Sequence, residues 1–331
     1  MVKIDTIELP DFPLLLAPME DVSDPPFRVL CKRLGADMLY TEFISTEGLI
    51  RNAEKSVKKL DFYEEERPLG IQIFGADIEV MKGCAEIIEQ ANPDLLDINF
   101  GCPVKKVVCK DAGAGILKDI PRMIRLTESI VKATKLPVTV KTRLGWDNNS
   151  KNIVEVAERL QDAGIKALTI HGRTREQLYK GNADWSLIAA VKNNQRMHIP
   201  IFGNGDIDTP QKALAYKNTY GVDGIMIGRA AIGNPWIFRE IKQFLKTGKI
   251  VSPPTIEERV EVCKQHLLKS VEWKGEVLGV LEMRRHYTNY FKGLPNIKQY
   301  RSQLVSLTSV DEIKQVLTDI AIQKFDEVIT V

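Results

Sequence analysis

The sequence is poor in the features that mark secreted, metal-built or polybasic proteins. Its 331 residues include five cysteines, Cys31, Cys84, Cys102, Cys109 and Cys263, an odd number without a C-x-x-C pair. That pattern excludes a disulfide framework and a zinc knuckle, and leaves any functional cysteine to act as a thiol. Only four histidines are present, which disfavours a metal centre. No window approaches the roughly 18 uncharged apolar residues that a membrane helix needs. The first residues scatter charges among apolar ones instead of building a basic region before an apolar core, so no secretory signal is expected and the expected location is cytoplasmic. An excess of one charge is missing too. Lys+Arg number 46 and Asp+Glu 44, so bulk charge cannot hold the chain on nucleic acid and any such binding must use a local patch. A G-x-G-x-x-G fingerprint is also absent, because Gly203-Asn-Gly205 lacks the third glycine and follows a late strand.

What is present is an ordinary globular composition, 44% hydrophobic and 27% charged. The length fits one α/β barrel with a small appendix. Short β-rich apolar runs recur at 14–19, 38–43, 69–74, 95–100, 138–143, 167–171, 199–203 and 224–227. Most are continuous, the signature of parallel strands covered on both faces. Between them, 79–90 and 152–163 carry apolar residues at helical spacing, the second closed by Gly164. Eight such units predict a (β/α)8 TIM barrel over 1–245. After Ser252-Pro253-Pro254 only helical patterns follow, at 256–273, 277–291, 299–307 and 310–325, and Ser309-Val-Asp-Glu312 has capping-box spacing. These predict a helical-bundle domain over 252–331.

Barrels of this kind place chemistry just past the carboxyl ends of their strands. There the chain has Pro18, Met19 and Glu20, then Gln72, Asn99 to Pro103, Lys141 and Arg143, His171, Gly203 to Asp206, and Gly228 with Arg229. Asn204, Gly205, Asp206, Gly228 and Arg229 have the make-up of a phosphate site. Glycines admit backbone N–H groups to an anion, and Arg229 adds a forked cation. Lys141 and His171 end adjacent strands and suit an electron-rich heterocycle or a phosphate. Cys102, on a loop facing the mouth, could be a nucleophile, a metal ligand or a proton donor. With an ordinary pKa near ~8.5 it is mostly protonated at neutral pH, which suits acid work. From Arg284 to Arg301 the chain carries Arg284, Arg285, Lys292, Lys298 and Arg301 but no acid, a candidate contact for a phosphate backbone.

Several motifs together resemble the tRNA-dihydrouridine synthases, with the bacterial B-type branch nearest. They are Leu16-Ala-Pro-Met19, Asn99-Phe-Gly-Cys-Pro103, Leu168-Thr-Ile-His-Gly-Arg-Thr174, Gly203-Asn-Gly-Asp206, Met226-Ile-Gly-Arg-Ala-Ala231 and Asn234-Pro-Trp-Ile-Phe238, and they occur in order. The resemblance implies an FMN enzyme that reduces uridines of tRNA to 5,6-dihydrouridine with NADPH or NADH. Pro18, Met19 and Glu20 would line the flavin ring, with Gln72, Lys141 and His171 contacting the isoalloxazine. Asn204, Gly205, Asp206, Gly228 and Arg229 would hold ribityl and phosphate. Hydride from flavin N5 would reach uracil C6, and Cys102 would protonate C5. Asn99 and Arg143 would orient the uracil, while Arg284, Arg285 and Lys292 would grip the RNA. No membrane and no obligate protein partner is implied. Where many relatives follow Gly-Cys-Pro-x-Lys-x-Val with Asn, this chain has Val108 and then Cys109, a second thiol on the same loop.

Two rival readings share some of these residues. A dihydroorotate dehydrogenase-like barrel acting on free pyrimidines would need no basic helical tail. A non-catalytic tRNA-binding protein would have no chemical need for Cys102, Lys141 and Arg229.

Overall fold

The computed structural model describes residues 1–323. Its strands are β1 (Val2–Ile4), β2 (Ile7–Leu9), β3 (Leu14–Leu16), β4 (Leu39–Tyr40), β5 (Ile44–Ser45), β6 (Leu69–Phe74), β7 (Leu95–Asn99), β8 (Val138–Arg143), β9 (Ala167–His171), β10 (Ile201–Asn204) and β11 (Gly224–Ile227). The parallel sheet runs in the order β3-β11-β10-β9-β8-β7-β6-β4, with β5 resuming the β4 edge along β6. Its two edges meet, because Leu16 N donates to the Met38 carbonyl at 3.0 Å and Asp37 N to the Leu14 carbonyl at 2.8 Å. The sheet thereby curls into the expected eight-stranded α/β barrel.

Strand parity decides which residues face the barrel axis. In β7, Leu96 and Ile98 join the outer core beneath the helices, which turns Leu95, Asp97 and Asn99 inward. Val138 and Val140 do the same in β8 and turn Thr139, Lys141 and Arg143 to the axis. In β6 the outward set is Leu69, Ile71 and Ile73, so Gln72 faces in. The lower interior is apolar, filled by Leu15, Met38, Tyr40, Leu95, Ala167, Phe202 and Met226. Gly70 makes room there, since a Cβ would lie 2.5 Å from Leu95 Cδ1 and 2.9 Å from the Tyr40 ring. The β1–β2 hairpin adds Ile4 and Leu9 to this cluster as a plug. The sequence signal for that hairpin is short, with Val2, Ile4, Ile7 and Leu9 alternating around an Asp5-Thr6 turn.

The second barrel strand is interrupted, unlike the continuous run expected at 38–43. Thr41 keeps a ladder bond to the Gly70 carbonyl at 3.0 Å, but the chain then bends before Ile44 pairs with Ile73. Past the barrel lie helices Ile256–Lys274, Glu276–Tyr290, Lys298–Ser306 and Val310–Ile322. Ser309 Oγ accepts from Glu312 N at 3.4 Å and so caps the last of these. Residues 324 and 325, the expected end of that helix, lie outside the described residues.

The helical region has its own core of Val260, Cys263, Leu267, Met283, Tyr287, Leu317 and neighbours, joined by Trp236 from the barrel side. Phe27, on the barrel helix Pro25–Arg33, packs against His266 and His286 with ring centroids 5.5 and 5.0 Å away. Gly233, at φ +61°, lies against the helix Glu276–Tyr290, where a Cβ would stand 2.4 Å from the His286 carbonyl. These contacts bind the helices to the rim of the barrel beside the strand ends. Among the described residues no helix is long and apolar enough to cross a membrane.

Candidate active site

A cavity of about 690 Å³ opens where the strands end. It gathers Pro18, Met19, Glu20, Asn99, Cys102, Lys141, Arg143, His171, Asn204, Gly205, Asp206, Gly228 and Arg229 on one lining. Register explains the convergence. Asn99 pairs with Lys141 on one level, and Arg143 with His171 and His171 with Asn204 on the next level toward the strand ends, so these inward positions face one cavity.

Gln72 is the exception among the barrel residues expected in the lining. It is fully buried one layer below the cavity, in the level formed by the paired residues Gln72, Asp97 and Thr139. It touches the lining through Asn99. Gln72 Nε2 donates to Asp97 Oδ2 at 2.5 Å, and Gln72 Oε1 accepts from Asn99 Nδ2 at 2.8 Å. Asn99 Oδ1 in turn accepts from Gly101 N at 2.9 Å and Cys102 N at 2.8 Å. The loop that carries the thiol is thus anchored to the barrel interior.

Cys102 is 7% exposed, and burial raises its thiol above the ordinary cysteine range, outweighing the Val104 N–H and the Arg143 charge. It is therefore a thiol, not a thiolate, at neutral pH. Gly113, at φ +54°, lets the chain pass behind it, where a Cβ would come within 2.9 Å of the Cys102 carbonyl. The second thiol of this loop turns away, since Cys109 is exposed at the end of the short helix Lys105–Val108 while Val108 is buried. Among the described residues, the only cysteine in the lining is Cys102.

The cations divide into fixed and available groups. Lys141 Nζ donates to Asn204 Oδ1 at 3.2 Å, and Asn204 Nδ2 donates to the Met226 carbonyl at 2.8 Å, which fixes that amide. Burial, reinforced by Arg143, lowers Lys141 to about 8. Arg143, lowered by burial to about 10, is largely a clamp. It donates to the Gly101 carbonyl at 2.7 Å, to Thr174 at 3.1 Å and to Leu178 at 2.9 Å, tying the Cys102 loop to the next one. Arg173, for which the sequence motifs predict no individual role, donates to both Asp206 oxygens at 2.9 and 2.7 Å. Asp206 lines the cavity, but its carboxylate is committed to Arg173, Ala183 N and Arg229. Arg229 remains open to solvent beside the Tyr179 ring, 4.8 Å from its centroid. Tyr179 belongs to the lining as well; it sits on a loop without strand periodicity, so no pattern marked it.

His171 is nearly buried, and burial, with Arg143 and the other cations nearby, pushes it well below the ordinary histidine value. Arg173 Nη1 lies 3.3 Å from His171 Nε2. A guanidinium can only donate, so Nε2 is the bare nitrogen and Nδ1 carries the proton.

The three cations expected to meet RNA behave differently from one another. Arg284 is half-buried and donates to the Leu307 carbonyl at 3.3 Å, which corrects its expected exposure. Arg285 is exposed but bonded to the Asp21 carbonyl and carboxylate, bridging helices and barrel. Lys292 is exposed and lines a second cavity of about 370 Å³, with Arg259 and Tyr290, that shares Asp208 and Arg229 with the first.

The lining suits a flavin phosphate on its own chemistry. Gly228 leaves open a space where a Cβ would touch Ala17 and Met19, Gly205 at φ +126° brings bare backbone to the wall, and Arg229 offers a solvent-facing cation beside them. Solved structures similar to this chain include a morphinone reductase mutant in complex with tetrahydroNAD, at a TM-score of 0.54 and 11% identity, covering 78% of this chain and 92% of that one. A 2-naphthoyl-CoA reductase matches at a TM-score of 0.57 and 13% identity, over 73% of this chain and 51% of that one. At such identities the likeness is one of fold. Sequence relatives are much nearer. The tRNA-dihydrouridine synthase B of Pseudomonas putida is 42% identical over 89% of this chain and 87% of its own length. That of Pseudomonas aeruginosa is 40% identical over 94% and 93%. A probable tRNA-dihydrouridine synthase of Rickettsia conorii is 37% identical over 96% of each chain. The family model for dihydrouridine synthase matches residues 15–326, and the chain belongs to that family of flavin-dependent oxidoreductases.

Proposed function

We propose that this protein reduces specific uridines of tRNA to 5,6-dihydrouridine, with FMN as its bound cofactor and NADPH or NADH as reductant. The observation that carries the reading is a neutral thiol, Cys102, on the same small cavity as the half-buried ammonium of Lys141 and the Gly228–Arg229 cradle. FMN, when bound, supplies the hydride that adds to C6 of the uracil. Gly205, Gly228 and Arg229 hold the phosphate end, and Asp206 serves them by anchoring Arg173 and Arg229. Pro18, Met19 and Glu20 form the wall along the ring, while Lys141 and neutral His171 offer donors to its polar edge. Positive charge from Lys141 favours negative charge developing in the cavity. Cys102 gives its proton to C5, and Asn99 orients the uracil with the Nδ2 hydrogen that Gln72 leaves unused.

A uridine stacked in folded RNA must leave its stack to reach this depth. Residues 1–245 would form the catalytic barrel and 252–331 the RNA-holding helical domain, with Lys292 the freest of the three cations. No membrane and no obligate protein partner enters this reading, and its setting is the cytoplasm.

The test is the visible spectrum of the purified protein, followed by anaerobic reduction with NADPH and reoxidation with and without unmodified tRNA. Reoxidation that requires tRNA and yields dihydrouridine is the expected result. A colourless protein, or reoxidation by free pyrimidine alone, overturns the reading.

A further inference from the structure

The buried carboxylate of Asp97 lies outside the cavity and touches nothing that would react. It is 1% exposed and receives two short hydrogen bonds on different oxygens, Thr139 Oγ1 on Oδ1 at 2.5 Å and Gln72 Nε2 on Oδ2 at 2.5 Å. A carboxylate only accepts, whereas a carboxamide has one accepting and one donating end. Asp97 therefore dictates which way the Gln72 amide points. With its NH₂ on Asp97, Gln72 presents Oε1 to Asn99 Nδ2 at 2.8 Å. This leaves Asn99 Oδ1, and no other atom of that amide, to receive the N–H groups of Gly101 and Cys102. Reversing any amide in the chain would set donor against donor in a place closed to water.

We infer that Asp97 is a positioning residue for the thiol: through Gln72 and Asn99 it sets the polarity of a buried hydrogen-bond chain that holds the Cys102 loop in place. The inference rests on the proposed function only in giving the thiol its task. The placement of the thiol can be read without turnover.

The experiment uses the full-length protein as purified and measures the rate at which iodoacetamide alkylates Cys102, resolved from Cys109 by peptide mass. Asp97→Leu removes the acceptor that orients Gln72, and Cys102 alkylation is expected to quicken roughly 10-fold as the loop loses its anchor. The double variant D97N/Q72E moves the carboxylate one link along the chain. The carboxamide introduced on β7 can then donate to the carboxylate introduced on β6 while accepting from Thr139. That carboxylate again offers Asn99 an acceptor, so alkylation should return to within about twofold of wild type. If Asp97→Leu does not fold, D97N/Q72M replaces it, since a thioether side chain fills the space of Gln72 and offers Asn99 no comparable acceptor.

A wild-type rate in the chain-breaking variant overturns the inference. So does a D97N/Q72E variant as reactive as the broken chain, because Asp97 would then act by packing alone. In tRNA turnover the broken chain should lower kcat while leaving KM for tRNA nearly unchanged. An absence of flavin or of turnover bears on the proposed function and leaves the alkylation result to stand or fall separately.

Discussion

Replacing Cys102 by alanine removes one sulfur from the cavity wall and leaves the hydrogen bonds of its loop intact, because Asn99 holds the backbone N–H of residue 102 and not its side chain. Flavin and tRNA binding should survive. A positioned acid contributes about 10²–10⁴ in rate, or about 3–5 kcal/mol of barrier, and the loss should fall on kcat. The structure also sets the pH profile. Burial raises the thiol pKa, so the acid form prevails throughout the neutral range. Wild-type turnover limited by this proton transfer should be flat from about pH 6.5 to 8.5 and decline only as the raised thiol pKa is passed. The assay is single-turnover reoxidation of the reduced protein by unmodified tRNA, with dihydrouridine counted by mass spectrometry. A Cys102→Ala variant within tenfold of wild type would refute the assignment, as would a Cys109→Ala variant that shows the larger loss. The exposed position of Cys109 predicts that its own replacement is silent.

Other outcomes follow from particular contacts. Arg28 and Glu66 form a pair 1% and 0% exposed, with Nε–Oε2 at 2.5 Å, so Arg28→Met should cost about 3–5 kcal/mol by stranding the carboxylate and R28M/E66L less. Burial raises Glu66 even beside Arg28. A raised acid loses stability as pH rises above its unfolded value, so the deficit of Arg28→Met should shrink toward pH 4 in thermal melts; a pH-independent deficit would contradict this. Lys141 is lowered to about 8, so the folded protein binds fewer protons than the unfolded chain between pH 8 and 10. Flavin-free wild type should gain stability over that window relative to Lys141→Met, and parallel melting profiles would rule the shift out. Gly233→Ala should loosen the helical region from the barrel, read as faster proteolysis near 249–254 with flavin binding kept, because its Cβ would meet the His286 carbonyl at 2.4 Å. Lys292→Ala should lower the salt dependence of tRNA binding by about one unit of slope while Arg284→Ala leaves it unchanged, since Arg284 is already turned toward the Leu307 carbonyl; equal effects would count against that division.

The sequence was informative where a single local rule applies. Continuous apolar runs marked the barrel strands because a covered parallel sheet tolerates little polarity, and polar residues ending those runs marked the rim. Cys102, Lys141, His171 and Arg229 were legible for that reason. Gln72 also lies near a strand end and was expected in the lining, but its side chain is buried beneath it. Its depth depends on register with β7, where it pairs with Asp97 one level below Asn99. Tyr179 was missed because nothing periodic surrounds it, and Arg173 because an arginine just past a strand has the pattern of a solvent-facing one. Arg284 was expected to be exposed because helical spacing places a side chain on a face but cannot say that the Leu307 carbonyl waits beside it.

By itself, then, the amino-acid sequence determined the class of fold and which polar side chains end its strands at the rim, since these depend on residue type and on periods of two and 3.6. Only the tertiary structure decided which thiol faces the cavity, which cations are free, and how Asp97 reaches Cys102 through two amides. Those outcomes depend on strand register and on the direction of hydrogen bonds between residues 25 to 42 positions apart in β6, β7 and β8. Directionality of that kind arises only when closure of the barrel removes water and forces each buried donor to find an acceptor.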